Sequence, residues 1–200
     1  RTFKDLDDSY AVIYSDAFYM DDFSNILYGR FIQSYKPKML KVPQGNIYNE
    51  LMCSNYIPAM SVLIRTDLVK KIGGYDEQLS YEDYDLWLRL SKTHKFYFSD
   101  YASCRYRLHN ANMHTSESFK KKSAINSFKI YYKHAENDIA KNKLKNFIYK
   151  LYQNNEYHDY KEKIISLNLT PKLNFFLKRD ITFKHYKRLA AIKRTLKKFT

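Results

Sequence analysis

The stretch that decides the fold is Ser80-Tyr81-Glu82-Asp83-Tyr84-Asp85-Leu86-Trp87-Leu88-Arg89-Leu90. Ser80 and Asp83 have the spacing of a capping box, so a helix is expected to start here. Leu86, Trp87 and Leu90 follow Asp83 by three, four and seven residues and share one helical face. The helix would bury that apolar stripe while its first turn presents the carboxylates of Glu82, Asp83 and Asp85. A carboxylate in this place can cap the helix and do nothing more. It can also serve as a general base, being fixed by the helix start and open to a cleft.

Upstream, Ser61-Val-Leu-Ile-Arg65 is β-branched and predicts a strand. Thr66 is expected to cap a short helix over 67–72, with Asp67 at its positive end and Gly73 stopping it in the left-handed conformation. Gly74-Tyr75-Asp76-Glu77 then turn the chain. Earlier still, Tyr10-Ala-Val-Ile-Tyr14 reads as a buried strand ended by Ser15-Asp16, and Asp21–Asn25 as a turn. Residues 26–57 carry no clear period and are expected to be irregular. Irregular, aromatic-rich loops often carry binding contacts.

Downstream, Lys95-Phe-Tyr-Phe98 predicts a third strand and Ser103–His109 a fourth. In the fourth, Cys104, Tyr106 and Leu108 alternate with Arg105, Arg107 and His109. Three cation-capable side chains on one face suit an anion site. They suit equally a wet edge strand.

The charge divides the chain. The 200 residues carry a formal +14. Residues 1–115 hold 14 basic and 14 acidic side chains, whereas residues 116–200 hold 21 basic and 7 acidic, so the whole excess lies in the last 85. That tail reads as helices over 117–133, 139–152, 157–167 and 183–199, with Asn137, Asn154, Asn155, Asn168 and Pro171 breaking them. A small bundle with solvated lysine faces fits it. So does a surface resting on anionic lipid headgroups. Nucleic-acid binding is the weaker alternative, because no Cys/His finger, helix-turn-helix or RNP-type aromatic motif accompanies the charge.

Composition excludes several classes. Hydrophobic residues make up 44% and aromatics 17%, enough to bury a core and too many for global disorder. No uncharged apolar run approaches the ~20 residues of a membrane span, and no secretion leader is visible. Cys53 and Cys104 read as ordinary thiols of a reducing compartment.

Ser61-Val-Leu-Ile-Arg-Thr-Asp-Leu-Val-Lys-Lys-Ile-Gly-Gly-Tyr-Asp-Glu77, Glu82-Asp83-Tyr84-Asp85-Leu-Trp-Leu-Arg-Leu90 and Tyr106-Arg107-Leu108-His109 together resemble the second half of a family 2 glycosyltransferase of the GT-A fold. Tyr14-Ser15-Asp16 is similar to the strand that follows that family's metal-binding segment. The resemblance covers roughly residues 3–115. It implies an α/β architecture: the C-terminal part of a GT-A (nucleotide-diphospho-sugar transferase) domain over 1–115, then an all-helical basic extension over 116–200.

The same resemblance implies the chemistry. A sugar would pass from a nucleotide-sugar donor to an acceptor hydroxyl, usually with inversion, in the synthesis of a cell-surface polysaccharide or lipid-linked saccharide. Asp83 would be the base, and Glu82, Asp85 and Trp87 would lie on the acceptor and donor-sugar side, with core packing the alternative for Trp87. Arg107 and His109 would stand near the donor diphosphate and its divalent metal, Mg2+ or Mn2+. The expected location is cytoplasmic, peripheral on the inner face of the membrane.

The resemblance departs in one large respect. The family's nucleotide-binding half and its Asp-x-Asp metal motif are expected upstream of Arg1, and Asp83-Tyr84-Asp85 matches the base motif rather than the metal motif. A fragment without that half is expected to bind nucleotide sugar weakly or not at all and to be inactive alone. The alternative is a non-catalytic binding or scaffold remnant of the same fold.

Overall fold

The computed structural model describes residues 3–35, 37, 41–109, 117–185 and 187–188. It divides into two compact units, Arg1–Lys120 and Lys121–Thr200. The change of charge between residues 115 and 116 falls outside the described residues.

The first unit is a mixed α/β structure built on β1 (Tyr10–Met20). One edge of β1 is covered along its length by β4 (Lys95–Arg107), in parallel. The other edge is shared: β3 (Val62–Ile64) pairs antiparallel with Val12–Tyr14, and β2 (Ile26–Arg30) pairs antiparallel further on, at Phe18 and Met20. Every residue from Ala11 to Ala17 is buried, the pattern of a strand covered on both faces.

Three strand readings are corrected. Ser15-Asp16 do not end β1, which continues to Met20. The Asp16 carboxylate is satisfied internally, because its Oδ1 accepts from the Ala17 and Ile32 amides at 2.8 and 2.9 Å. A buried acid with such partners need not turn the chain outward. The two strands expected over 95–98 and 103–109 are one strand, β4, interrupted by a bulge where Ser15 pairs with Ser99 but Ala17 with Cys104. The bulge is fastened by the Ser15 and Ser103 hydroxyls, 2.6 Å apart. Residues 26–57, expected to be irregular, supply β2, α1 (Phe31–Tyr35) and α2 (Tyr48–Cys53).

Helix starts also differ from the sequence reading. Thr66 lies inside α3 (Thr66–Lys71), with Arg65 at the N-cap and no side-chain cap. Tyr81, not Ser80, is the N-cap of α4 (Glu82–Ser91), and it makes no side-chain cap hydrogen bond. The apolar stripe is wider than its spacing implied: Tyr84, Asp85, Leu86, Trp87, Leu88, Leu90 and Ser91 are all buried.

The second unit is helical. It holds α5 (Glu117–Tyr132) beyond Lys120, α6 (Asp138–Asn154), α7 (Lys161–Leu167) and α8 (Pro171–Lys178). Ala140, Leu144, Ile148 and Leu151 form the buried stripe of α6. The asparagine breaks have definite geometry. The Asn137 side chain caps α6 by accepting from the Ile139 and Ala140 amides. Asn155 and Asn168 end α6 and α7 in the left-handed conformation, φ 61° and 48°. Pro171 does not only break the chain; it opens α8, where a missing amide costs nothing. The helix expected over 157–167 is a 3-10 turn, His158–Tyr160, followed by α7. Most of the one expected over 183–199 lies outside the described residues. No helix among the described residues is long and apolar enough to cross a membrane.

Candidate active site

The site is built around the first turn of α4. It starts one element earlier, where α3 ends at a glycine pair. Gly73 and Gly74 have φ of +86° and +72°, conformations that L side chains rarely adopt. The Gly74 amide donates back to the Val69 carbonyl at 2.9 Å and the Gly73 amide to Lys70 at 3.1 Å, which closes the helix. Arg89, in the last turn of α4, fastens this turn. Its guanidinium donates to the Asp85 carboxylate at 2.8 Å, to the Ile72 carbonyl at 2.9 Å and to the Gly74 carbonyl at 2.6 Å. The next residue, Tyr75, is thereby held close enough to feel the charges of Asp83 and Glu82.

Glu82 and Asp83 sit side by side at the start of α4. Asp83 is largely desolvated, and desolvation together with the neighbouring Glu82 charge holds its carboxyl above the usual carboxylate range. Hydrogen bonds from the Tyr84 amide, at 2.6 Å to Oδ1, and from the Asn55 side chain act in the opposite sense. Tyr75 responds to the same pair: burial, then the Asp83 and Glu82 charges, push its phenol upward. A carboxylate that is held by a backbone amide yet largely removed from water is suited to accept a proton from a bound hydroxyl.

The remaining sequence candidates lie elsewhere. Asp85 is fully buried, and its charge is matched by Arg89. The first turn therefore presents two carboxylates, not three, because the third points into the core and holds the glycine turn. Trp87 is fully buried in the core, in keeping with the packing alternative. Arg107 is not aligned toward an open face: its fork donates to the Asp21 and Asp22 carbonyls at 2.7 and 2.9 Å and to the Ser24 hydroxyl at 3.0 Å, clamping the turn between β1 and β2. His109 lies exposed, just beyond the end of β4. The structure thus brings Glu82 and Asp83 together with Asn55 and Tyr75, and assigns Arg107 to the hairpin.

Asn55, Tyr75 and Arg89 were not singled out from the sequence. Asn55 has no spacing relation to Asp83; it follows α2, which packs on α4, where the Tyr84 hydroxyl donates to the Leu51 carbonyl at 2.6 Å. Arg89 did carry a signal, since Asp85 and Arg89 have the i,i+4 spacing of a helical ion pair.

Among the described residues no group of three or more His, Cys, Asp or Glu side chains is arranged to hold a metal ion. The donors gathered at α4 do not fit a divalent cation, because Asp85 is committed to Arg89. No curated protein matches the chain in sequence. The profile of the family described as glycosyltransferase like family 2 matches residues 11–169. That match contains all of the sheet but Tyr10, together with the Glu82–Asp83 turn, and it extends through α7 of the second unit. This chain belongs to glycosyltransferase-like family 2.

Proposed function

We propose that this chain activates the acceptor in an inverting glycosyl transfer from a nucleotide-sugar donor. The acceptor hydroxyl attacks the anomeric carbon of the donor sugar. Its proton passes to the Asp83 carboxylate, the bond from that carbon to the phosphate oxygen breaks, and the nucleoside diphosphate leaves with the electron pair. Glu82 orients the acceptor or donor sugar by accepting from its hydroxyls. The observation that carries this reading is the adjacent Glu82 and Asp83 carboxylates in the first turn of α4, with Asp83 held by the Tyr84 amide, within a chain of this family.

Members of family 2 commonly use a divalent metal, Mg2+ or Mn2+, to offset charge on the leaving diphosphate. On the family resemblance alone we assign His109 to the donor side; Arg107, which the resemblance puts there too, is given the clamp on the Asp21–Ser24 turn instead. The products we assign are a cell-surface polysaccharide or a lipid-linked saccharide. What supports this is the basic excess of residues 116–200, 21 basic against 7 acidic. Each basic residue near an anionic membrane contributes about 1 kcal/mol, enough for peripheral attachment to the inner face.

The test is transfer by the intact enzyme that contains this chain, with and without Asp83→Asn. The expected loss is about 10²–10⁴-fold in kcat. Transfer at a near wild-type rate with an unchanged fold removes Asp83 as the base. Co-sedimentation with phosphatidylglycerol vesicles, weakened by salt, is expected for the membrane assignment; insensitivity to salt and lipid charge removes it.

A further inference from the structure

On the sheet, Phe18 of β1 stands in register between Arg30 of β2 and Arg105 of β4. Residues in register project from the same face, and the outer two are separated by two strand spacings, about 10 Å. The row Arg30–Phe18–Arg105 is therefore one surface, and it lines a cleft of about 560 Å³. The Arg30 guanidinium lies over the Phe18 ring, 5.1 Å from its centroid, so its head is held rather than free to sweep through solvent. Among the described residues neither guanidinium is paired with a carboxylate. Two like charges on one cleft wall favour an anion between them.

The β4 bulge lines the same cleft. The fastening of Ser103 to Ser15 loops out Asp100 and Tyr101 at the rim of the same cleft, with Tyr101 72% exposed. An exposed ring offers an apolar face to the C–H surface of a sugar, and an exposed carboxylate accepts from its hydroxyls. Arginine forks match phosphate oxygens in pairs. We infer that this cleft is a binding site for a phosphate ester of a polar, hydroxyl-bearing group, with Arg30 and Arg105 on the phosphate and Asp100 and Tyr101 on the hydroxyl-bearing part. A soluble sugar phosphate and a lipid headgroup share that chemistry. The inference is read by binding and does not depend on transfer activity.

Cys104 lines the cleft and provides a reporter that leaves both arginines in place. Cys53 is the other thiol and is exposed, so the chain is used as Cys53→Ser. α-Glucose 1-phosphate is expected to bind saturably by calorimetry, more tightly than inorganic phosphate, and to slow alkylation of Cys104 by iodoacetamide. Arg30→Gln and Arg105→Gln are each expected to weaken binding at least about tenfold, the scale of one charge-assisted hydrogen bond. Lys141→Gln and Lys150→Gln, on the second unit, are expected to leave it unchanged. If phosphatidylglycerol vesicles protect Cys104 and require Arg105 while glucose 1-phosphate does not bind, the ester is a lipid headgroup and the site stands. The proposal is overturned if neither probe slows Cys104 alkylation, or if both arginine variants bind like the parent chain.

Discussion

The Arg89 guanidinium donates to the Gly74 carbonyl at 2.6 Å, and through this bond the helix carrying Glu82 and Asp83 holds the turn that leads into Tyr75. The same guanidinium neutralises Asp85, whose side chain is fully buried. A residue that sequence alone leaves on a helix surface is thus the link between the core and the candidate site.

Removing that link should be costly. Arg89→Ala leaves a buried carboxylate without its cation and leaves two carbonyls without their donor, a loss of about 3–5 kcal/mol. Chemical denaturation should show it as a lower midpoint with little change in slope. The double variant Arg89→Ala/Asp85→Ala should be less destabilised than the sum of the two single changes. Additivity would mean that the pair does not interact in the folded protein.

Asp83 should trade stability for proton affinity. Its folded carboxyl is held above the usual range by desolvation and by Glu82. The native state therefore binds the proton more tightly than the unfolded chain does. No penalty exists below the unfolded carboxyl range, where both states are protonated. It grows as pH rises through the folded value and is complete above it. Asp83→Asn should accordingly raise the thermal midpoint at neutral pH and leave it unchanged in acid, while removing transfer. A variant less stable than wild type at neutral pH would show that the charge at 83 is favourable in the fold.

Arg107 gives a choice between two roles. Its three hydrogen bonds to the Asp21–Ser24 turn predict that Arg107→Ala costs about 1–3 kcal/mol. Lysine should not restore it, because a single ammonium cannot reproduce the fork. Donor KM should stay within a factor of about two of wild type when measured well below the melting range. A raised donor KM at an unchanged midpoint would put the guanidinium on the diphosphate instead.

In the helical unit, Asn137→Ala removes the acceptor for two amides at the start of α6. The expected loss is about 0.5–2 kcal/mol. Asn137→Asp or Asn137→Ser should retain most of the stability. Equal melting of the alanine and aspartate variants would remove the cap as a contributor.

Local rules explain what could be read without coordinates. The Gly73–Gly74 stop follows from a conformation other residues avoid, and the asparagine boundaries at 137, 155 and 168 follow from cap geometry. The Tyr10–Tyr14 strand and the buried face of α4 follow from hydrophobic period. Boundaries failed where a polar side chain found a partner far away in the chain. Asp16 looked like a strand terminator because its acceptance from the Ile32 amide is invisible to a local window. Asp85 looked like a third open carboxylate for the same kind of reason.

Sequence by itself determined the family's signature residues, the neutral first part with its α/β pattern, the basic helical second part and the Glu82–Asp83 pair on a helix start. These are properties of spacing, charge and backbone preference, which neighbours in the chain set. Tertiary structure alone decided that Tyr84 ties α4 to Leu51 of α2, that Arg107 clamps a hairpin, and that Arg30, Phe18 and Arg105 form one row. Those relationships join residues as much as 87 positions apart in the chain, as Phe18 and Arg105 are. They arise from strand register and from the need to satisfy every buried polar group, conditions that exist only once the chain has closed on itself.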